Sequence, residues 1–327
     1  MNFAIVGCGL IGQKRAKALQ AAGHTVRVTA DTVGERAERL AAMCPGASHT
    51  ADWLQAVSAP EVDAVVVATT NQSLAPVTLA AARAGKHVIV EKPAARTVRE
   101  IEEVIAAAKQ TGVRVQVGFN HRYHPALQMA RKLFDSGELG PLLFIRGRYG
   151  HGGRVGYEKE WRSNPEISGG GELIDQGVHL IDLSRWFLGD FTRIEGHAET
   201  YFWKMPVDDN AFLSLRTAAD QTAWLQVSCT EWKNMFSMEI YGRDAKLDIQ
   251  GLGGSYGVER LAFYKMLPQM GPPETTIWEY PGEDKSWQLE LADFEQSVKS
   301  GKSRGPTLHD ARAALEIVES IYQRSNL

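Results

Sequence analysis

Cysteine is scarce in this chain: three thiols, Cys8, Cys44 and Cys229, in 327 residues. Their odd number and wide separation exclude a disulfide framework and the spacing of a zinc site, and they suit a reducing compartment. No run of about 18 apolar residues is present to cross a bilayer, and no basic, apolar leader precedes Phe3. An excess of either charge is missing as well. The 36 basic and 39 acidic residues leave a net charge of −3, which gives no electrostatic footprint for nucleic acid or an anionic membrane. Internal repeats and low-complexity tracts are absent. The expectation is a cytoplasmic globular protein with two domains, since 327 residues exceed what one hydrophobic core usually serves.

What is present starts at once, with "NFAIVGCGLIGQKRAKALQAAG". Phe3 to Val6 read as a strand buried on both faces. Gly7, Gly9 and Gly12 then form G-x-G-x-x-G: the first permits a tight turn, the second lets a pyrophosphate approach the backbone, and the third lets helix and strand pack closely. Leu10 and Ile11 open the following helix, whose free N–H groups would face the phosphates. The next strand, "TVRVTAD", ends at Asp31, about 20 residues beyond the glycines. A carboxylate there accepts both ribose hydroxyls of NAD and repels the 2′-phosphate of NADP. The same side chain would also suit a turn or a helix cap.

Strand and helix patterns then alternate through "DAVVVATT", "APVTLAAARAG", "KHVIVEKP", "VREIEEVIAAAKQTG" and "VRVQVGF". This rhythm predicts a parallel, doubly wound sheet over residues 1–120 that binds its ligand at the strand ends. Those ends supply Thr69, Thr70, Asn71, Glu91, Lys92 and Asn120. Lys92 closes an apolar run and is stopped by Pro93. It is either a solvated strand-end lysine or a group on the crevice floor.

Beyond Asn120 the rhythm changes. After a helix in "HPALQMARKLFDSGELG" come the runs "PLLFIRGRYG", "IEGHAETYFW", "NAFLSLRT", "QTAWLQVSCTEW", "FSMEIYG" and "AKLDIQ", which alternate with period two. They predict antiparallel strands with one covered and one open face, an α+β domain over residues 121–327. Trp203, Trp224 and Trp232 are expected on the open face, under a helix layer or another subunit. Leu308, Ala311, Leu315 and Val318 give the final helix a stripe with which to pack back on the body.

The segment "GGGELIDQGVHLIDL", residues 169–183, sets three glycines before Asp175, His179 and Asp182. On an α-helix these three share one face and form a polar stripe. Such a stripe is a solvated surface or a working site. No further ligand cluster accompanies it, so no metal is expected. Asp182 is expected to cap or salt-bridge outside any site.

Three motifs coincide: the glycine fingerprint, Glu91-Lys92-Pro93, and Gly169-Gly170-Gly171 followed by Asp175 and His179. Together with "GFNHRYHPA" (residues 118–126) and the Trp161-Arg162 pair, they resemble the glucose–fructose oxidoreductase, inositol dehydrogenase and rhizopine-catabolism family of NAD(P)-dependent oxidoreductases. The resemblance spans nearly the whole chain. It implies an N-terminal Rossmann domain and a C-terminal α+β domain whose large open antiparallel sheet mediates homodimers or homotetramers. It also implies catalysis by Lys92, Asp175 and His179 on a secondary hydroxyl of a sugar, sugar phosphate, nucleotide sugar or cyclitol. NAD would be held by Gly7, Gly9, Leu10, Ile11, Gly12, Asp31, Thr69, Thr70, Asn71, Glu91 and Lys92. Substrate would meet Lys92, Asn120, Arg122, Tyr123, His151, Arg154, Tyr157, Trp161, Arg162, Asp175 and His179. The basic residues Arg148, Arg154, Lys159 and Arg162 suit a phosphorylated or nucleotide-linked sugar, or are simply solvated loop charges. One departure is Leu74, where many members have a histidine. An NAD-dependent glycoside hydrolase and a cofactor-sensing regulator are the alternatives; the regulator would need to lack Lys92 or His179, and both are present.

Overall fold

A computed structural model describes residues 1–325 and resolves two compact units. The first holds Met1–Phe119, Glu166–Gly169 and Trp287–Leu315. Its strands are β1 (Asn2–Val6), β2 (Thr25–Ala30), β3 (Ser48–Thr50), β4 (Ala64–Val67), β5 (His87–Glu91) and β6 (Val115–Gly118), in sheet order β3-β2-β1-β4-β5-β6. Every neighbouring pair is parallel. The order reverses between β1 and β4, and ligands of such sheets bind at that switch point. Helices α1 (Leu10–Ala21), α2 (Gly34–Ala42), α3 (Trp53–Ser58), α4 (Asn71–Arg83) and α5 (Val98–Thr111) make the connections. The apolar runs Phe3–Val6 and Ala64–Val67 are almost wholly buried, because helices cover both faces of a parallel sheet. Leu291 and Phe294 belong to the same core as Phe3, Ile5 and Ile89. That burial draws residues 287–315 into the first unit, where the sequence placed them in the second domain.

The second unit holds Asn120–Pro165, Gly170–Ser286 and Glu316–Leu327. The next elements in chain order are α6 (Pro125–Asp135), β7 (Leu142–Gly150), α7 (Pro165–Ser168) and α8 (Val178–Leu188). After these come β8 (Phe191–Glu199), β9 (Asn210–Thr217), β10 (Thr222–Ser228), β11 (Met235–Gly242), β12 (Ala245–Gln250), β13 (Glu259–Lys265) and β14 (Glu274–Tyr280). Helices α9 (Ser286–Ser300) and α10 (Leu308–Ser325) close the chain. Eight strands form one sheet in the order β14-β13-β12-β11-β7-β10-β9-β8. It is mostly antiparallel, with one exception: β7 and β10 run parallel. The chain leaves β7 through α8 and re-enters by way of β8 and β9, which brings β10 back alongside β7 in the same direction. Leu180 of α8 packs over Gly147 and Leu225 on the covered face.

Of the three tryptophans expected on the open face, only Trp224 lies on a strand, and it is exposed. Trp203 lies in a loop past the end of β8 and Trp232 in the loop after β10. The alternation that carried them ends at Glu199 and Ser228, where the ladder hydrogen bonds stop. The last helix buries Leu308, Ala311, Leu315 and Val318 as its stripe requires. No helix of the described residues is long and apolar enough to cross a membrane.

Candidate active site

In the first unit, the three glycines differ in what surrounds them. Gly7 has φ +96°, and a Cβ there would meet the Ala68 carbonyl oxygen at 2.3 Å. One on Gly12 would meet the Gly7 carbonyl oxygen at 2.0 Å. Both are forced to be glycine by backbone contact. A Cβ on Gly9 would meet nothing within 4 Å, so that face of the backbone is open to a ligand. Gly9 is also the N-cap of α1 and supplies no side-chain cap, with Leu10 exposed beside it. Free amides, the positive end of a helix and open space make a fitting cradle for a pyrophosphate.

Asp31 stands at the end of β2 and accepts from the amides of Cys8 (2.8 Å) and Val33 (2.9 Å). The carboxylate therefore also fixes the glycine turn, and a carboxylate has further lone pairs for ribose hydroxyls. Thr69 and Thr70 lead into α4, with Thr70 as its N-cap. Asn71 is buried and donates to the Ser168 carbonyl at 2.8 Å. Leu74, at the departure from the family pattern, is fully buried in the same helix. Lys92, partly buried, stands directly after β5.

Glu91 was expected at the cofactor; the structure engages its carboxylate with Arg15 of α1 at 2.6 and 2.8 Å. Arg15 also bonds Glu290 of α9. One guanidinium thus serves two carboxylates in a buried cluster. Burial pushes Glu290 up to about 7 despite Arg15, and the charge of Glu91 adds to that rise.

In the second unit Gly170 and Gly171 precede a π-helical turn, Leu173–Gly177, which runs into α8. The expected continuous α-helix is absent at Asp175, so Asp175, His179 and Asp182 do not form a single α-helical stripe. The glycines have a local cause. A Cβ on Gly170 would strike the Tyr322 hydroxyl at 2.3 Å, and one on Gly171 the Asp208 carbonyl oxygen at 1.9 Å. Asp208 is fully buried and accepts from the amides of Gly171 (2.9 Å) and Leu173 (2.7 Å) and from the Tyr322 hydroxyl (2.8 Å). Burial still pushes it up to about 6. Asp208 and Tyr322 pin the turn that carries Asp175.

The Asp175 carboxylate accepts from Arg162 at 2.9 Å, and Arg162 stacks on Trp161 with 4.5 Å to the ring centroid. His151 faces the buried Glu172 at 3.5 Å. Burial pushes the His151 imidazole down, yet the hydrogen bond and charge of Glu172 outweigh it and leave the group above its ordinary value. Tyr157, also buried, packs edge-on against His151. His179 is buried and lies against the ring of His121, with Tyr149 edge-on to both. Four of the expected substrate residues, His151, Tyr157, Arg162 and Asp175, are thereby grouped around Glu172.

Others are engaged elsewhere in the unit. Arg122 bonds Asp182 at 2.5 and 2.8 Å, so Asp182 salt-bridges as expected. Asn120 donates to the Ser286 hydroxyl at 3.0 Å, and Tyr123 is buried nearby in the chain. His124 pairs with the buried Glu259 at 3.0 Å. Arg154 pairs with Glu160 in an exposed loop, and Lys159 is exposed. Arg148 lies with Arg146 on the open sheet face, in a hollow shared with Phe212, Trp224 and Gln226. The sequence reading missed His121, Glu172 and Asp208. For the first two the signal was adjacency to motif residues; Asp208, some 30 residues away, offered none.

Comparison with known proteins decides the family. Residues 1–119 match the oxidoreductase family with an NAD-binding Rossmann fold, and residues 127–248 match the C-terminal domain of the same GFO/IDH/MocA family. The chain belongs to this family. It is an NAD-binding oxidoreductase. Inositol 2-dehydrogenase of Salmonella typhimurium is 31% identical over 96% of this chain and 91% of its own. Levoglucosan dehydrogenase of Pseudarthrobacter phenanthrenivorans is 25% identical over 99% of this chain and 95% of its own. A solved levoglucosan dehydrogenase in complex with NADH has a TM-score of 0.88 at 26% identity, covering 99% of this chain and 98% of that one. Its relatives among dehydrogenases thus act on sugars and cyclitols.

Proposed function

We propose that this oxidoreductase uses NAD to oxidise a secondary hydroxyl of a sugar, sugar phosphate, nucleotide sugar or cyclitol, or catalyses the reverse reduction. The supporting observation is the buried His179 beside a π-helical turn that presents Asp175 and is pinned by Asp208. In a chain with a cofactor-binding glycine loop, this supplies the acid–base groups that alcohol oxidation needs. His179 takes the hydroxyl proton, the neutral imidazole being a competent base near neutrality. Lys92 donates to the substrate oxygen and stabilises the charge that develops there. Asp175, oriented by Arg162, binds the neighbouring hydroxyl or orients His179. When bound, NAD supplies the acceptor for the hydride. Gly7, Gly9, Leu10, Ile11, Gly12, Asp31, Thr69, Thr70 and Asn71 hold the cofactor, and Glu91 acts by fixing the end of β5 through Arg15.

His151, Tyr157, Trp161 and Arg162 bind the sugar, with Asn120, Arg122 and Tyr123 framing them. The open sheet face, with exposed Trp224 and Ile277, mates with a second copy to form a homodimer or homotetramer. Free, buried cysteines suit the cytosol.

The deciding experiment incubates the protein with NAD and a panel of sugars, cyclitols, sugar phosphates and nucleotide sugars. Sustained formation of NADH with one class is expected. Release of free sugar from a glycoside without accumulating NADH would assign the glycoside hydrolase reading, and inertness throughout would favour the regulator.

A further inference from the structure

A row of aromatic rings runs from the surface of the second unit to the side chains grouped around Glu172. Trp232 is 89% exposed and Phe202 is 59% exposed, with their ring centroids 6.0 Å apart. Phe202 meets Trp203 at 5.2 Å, Trp203 meets the buried Tyr157 at 5.6 Å, and Tyr157 meets His151 at 5.6 Å. His151 closes the row against Glu172. Tyr201, next in the chain and 63% exposed, turns instead toward His197 of β8, 3.5 Å from its hydroxyl.

The backbone that carries these rings is pinned by hydrogen bonds. The fully buried Asp209 accepts from three consecutive amides, those of Tyr201 (2.9 Å), Phe202 (2.7 Å) and Trp203 (2.9 Å). The Trp203 indole donates to the Cys229 carbonyl at 2.9 Å. The loop bearing Trp232 is tied to β7 by the Glu231 amide, which donates to the His151 carbonyl at 3.0 Å. Trp232 itself has φ +59°, a left-handed conformation that costs a bulky residue stability. The strain is not repaid by burial, since the indole is nearly bare.

We propose that Phe202 and Trp232 form an outer subsite for a second sugar ring, so that the substrate is a glycoside or disaccharide whose reacting ring reaches His151. This rests on the carbohydrate reading above. The weakly positive C–H groups on one face of a pyranose sit against the negative face of an aromatic ring, and a pre-set shelf binds them with little ordering cost. The row continues inward to His151, Glu172 and Arg162, whose polar groups match sugar hydroxyls. A protein partner would use the outer rings alone.

Titration of intrinsic fluorescence with cellobiose, maltose, lactose and sucrose, against glucose and myo-inositol, tests this without turnover. At least one disaccharide is expected to bind about tenfold or more tightly than the single rings. Phe202→Ala and Trp232→Ala, the latter read through the remaining tryptophans, should abolish that margin and leave single-ring binding unchanged. Equal affinity for one and two rings overturns the proposal, and so does an equal loss for both in the variants. A fall in particle mass on Trp232→Ala, seen by light scattering, assigns the patch to a subunit contact and overturns it too. Single-ring oxidation without a disaccharide margin removes the subsite alone, whereas a margin without oxidation of any carbohydrate removes the dehydrogenase reading alone.

Discussion

His121 lies flat against His179, the two imidazole centroids 3.7 Å apart and their planes 18° from parallel. Both rings are buried. Packing of this kind fixes the plane and tilt of the His179 ring. His121→Phe preserves the stacking, whereas His121→Ala removes it. Maximal kcat should stay within about threefold of wild type in the first and fall by roughly tenfold or more in the second. Equal kcat in the two variants would mean that His121 only fills space.

Lys92→Ala and His179→Ala should each lower kcat by roughly 10²- to 10⁴-fold, the range of acid–base and oxyanion groups, with NAD affinity nearly unchanged. Asp182→Asn is the control. Its carboxylate is spent on Arg122 in a buried pair, so the variant should melt several degrees lower and keep substantial kcat. Wild-type kcat in His179→Ala, or a dead Asp182→Asn that still melts normally, would refute these roles.

Asp31 predicts a preference for NAD over NADP of about a hundredfold, because its carboxylate opposes a 2′-phosphate. Fluorescence titration with NADH and NADPH measures this directly. Asp31→Ser should narrow the margin, with some loss of affinity for both cofactors since the Cys8 and Val33 amides lose an anionic partner.

The Arg15–Glu91–Glu290 cluster predicts how stability depends on pH. An unfolded glutamate ionises near 4.5, whereas Glu290 keeps its proton to about 7 in the fold. Between those values the folded state binds more protons, so stability falls as pH rises through the window. Glu290→Gln mimics the protonated form. The melting temperature of this variant should match wild type near pH 5 and exceed it by at least about 2 °C at pH 8. A margin that is constant across that range would show that Glu290 is ionised throughout.

Association through the open sheet face predicts a dimer or tetramer by light scattering at micromolar concentration. Trp224→Glu would place a charge at the centre of that face and should shift the population toward the 36 kDa monomer. A wild-type protein that is already monomeric would refute the interface.

The sequence alone determined the features that local sterics and hydrophobic period dictate. Gly7 and Gly12 read correctly because a tight turn and a close backbone approach admit no side chain, whatever lies beyond. Five of the six parallel strands, β1, β2, β4, β5 and β6, were legible, and β9 and β10 as alternation, whereas the short and largely exposed β3 was not. Elements without either signal escaped. Strand β14 is exposed along most of its length and carries no buried face to read, and β13, though largely buried, and α9 also drew no assignment. Tertiary structure decided the rest because a charge or a ring has no fixed partner until the chain has folded. The sequence could not show that Glu91 would be taken by Arg15, 76 positions away, or that the same guanidinium would also hold Glu290. Nor could it show that Gly170 and Gly171 are small to admit Tyr322 and Asp208, or that Trp203 and Trp232 leave the sheet for a loop shelf. Those outcomes depend on which strands pair and where helices pack, and long-range contacts of that kind leave no periodic trace in the residues that make them.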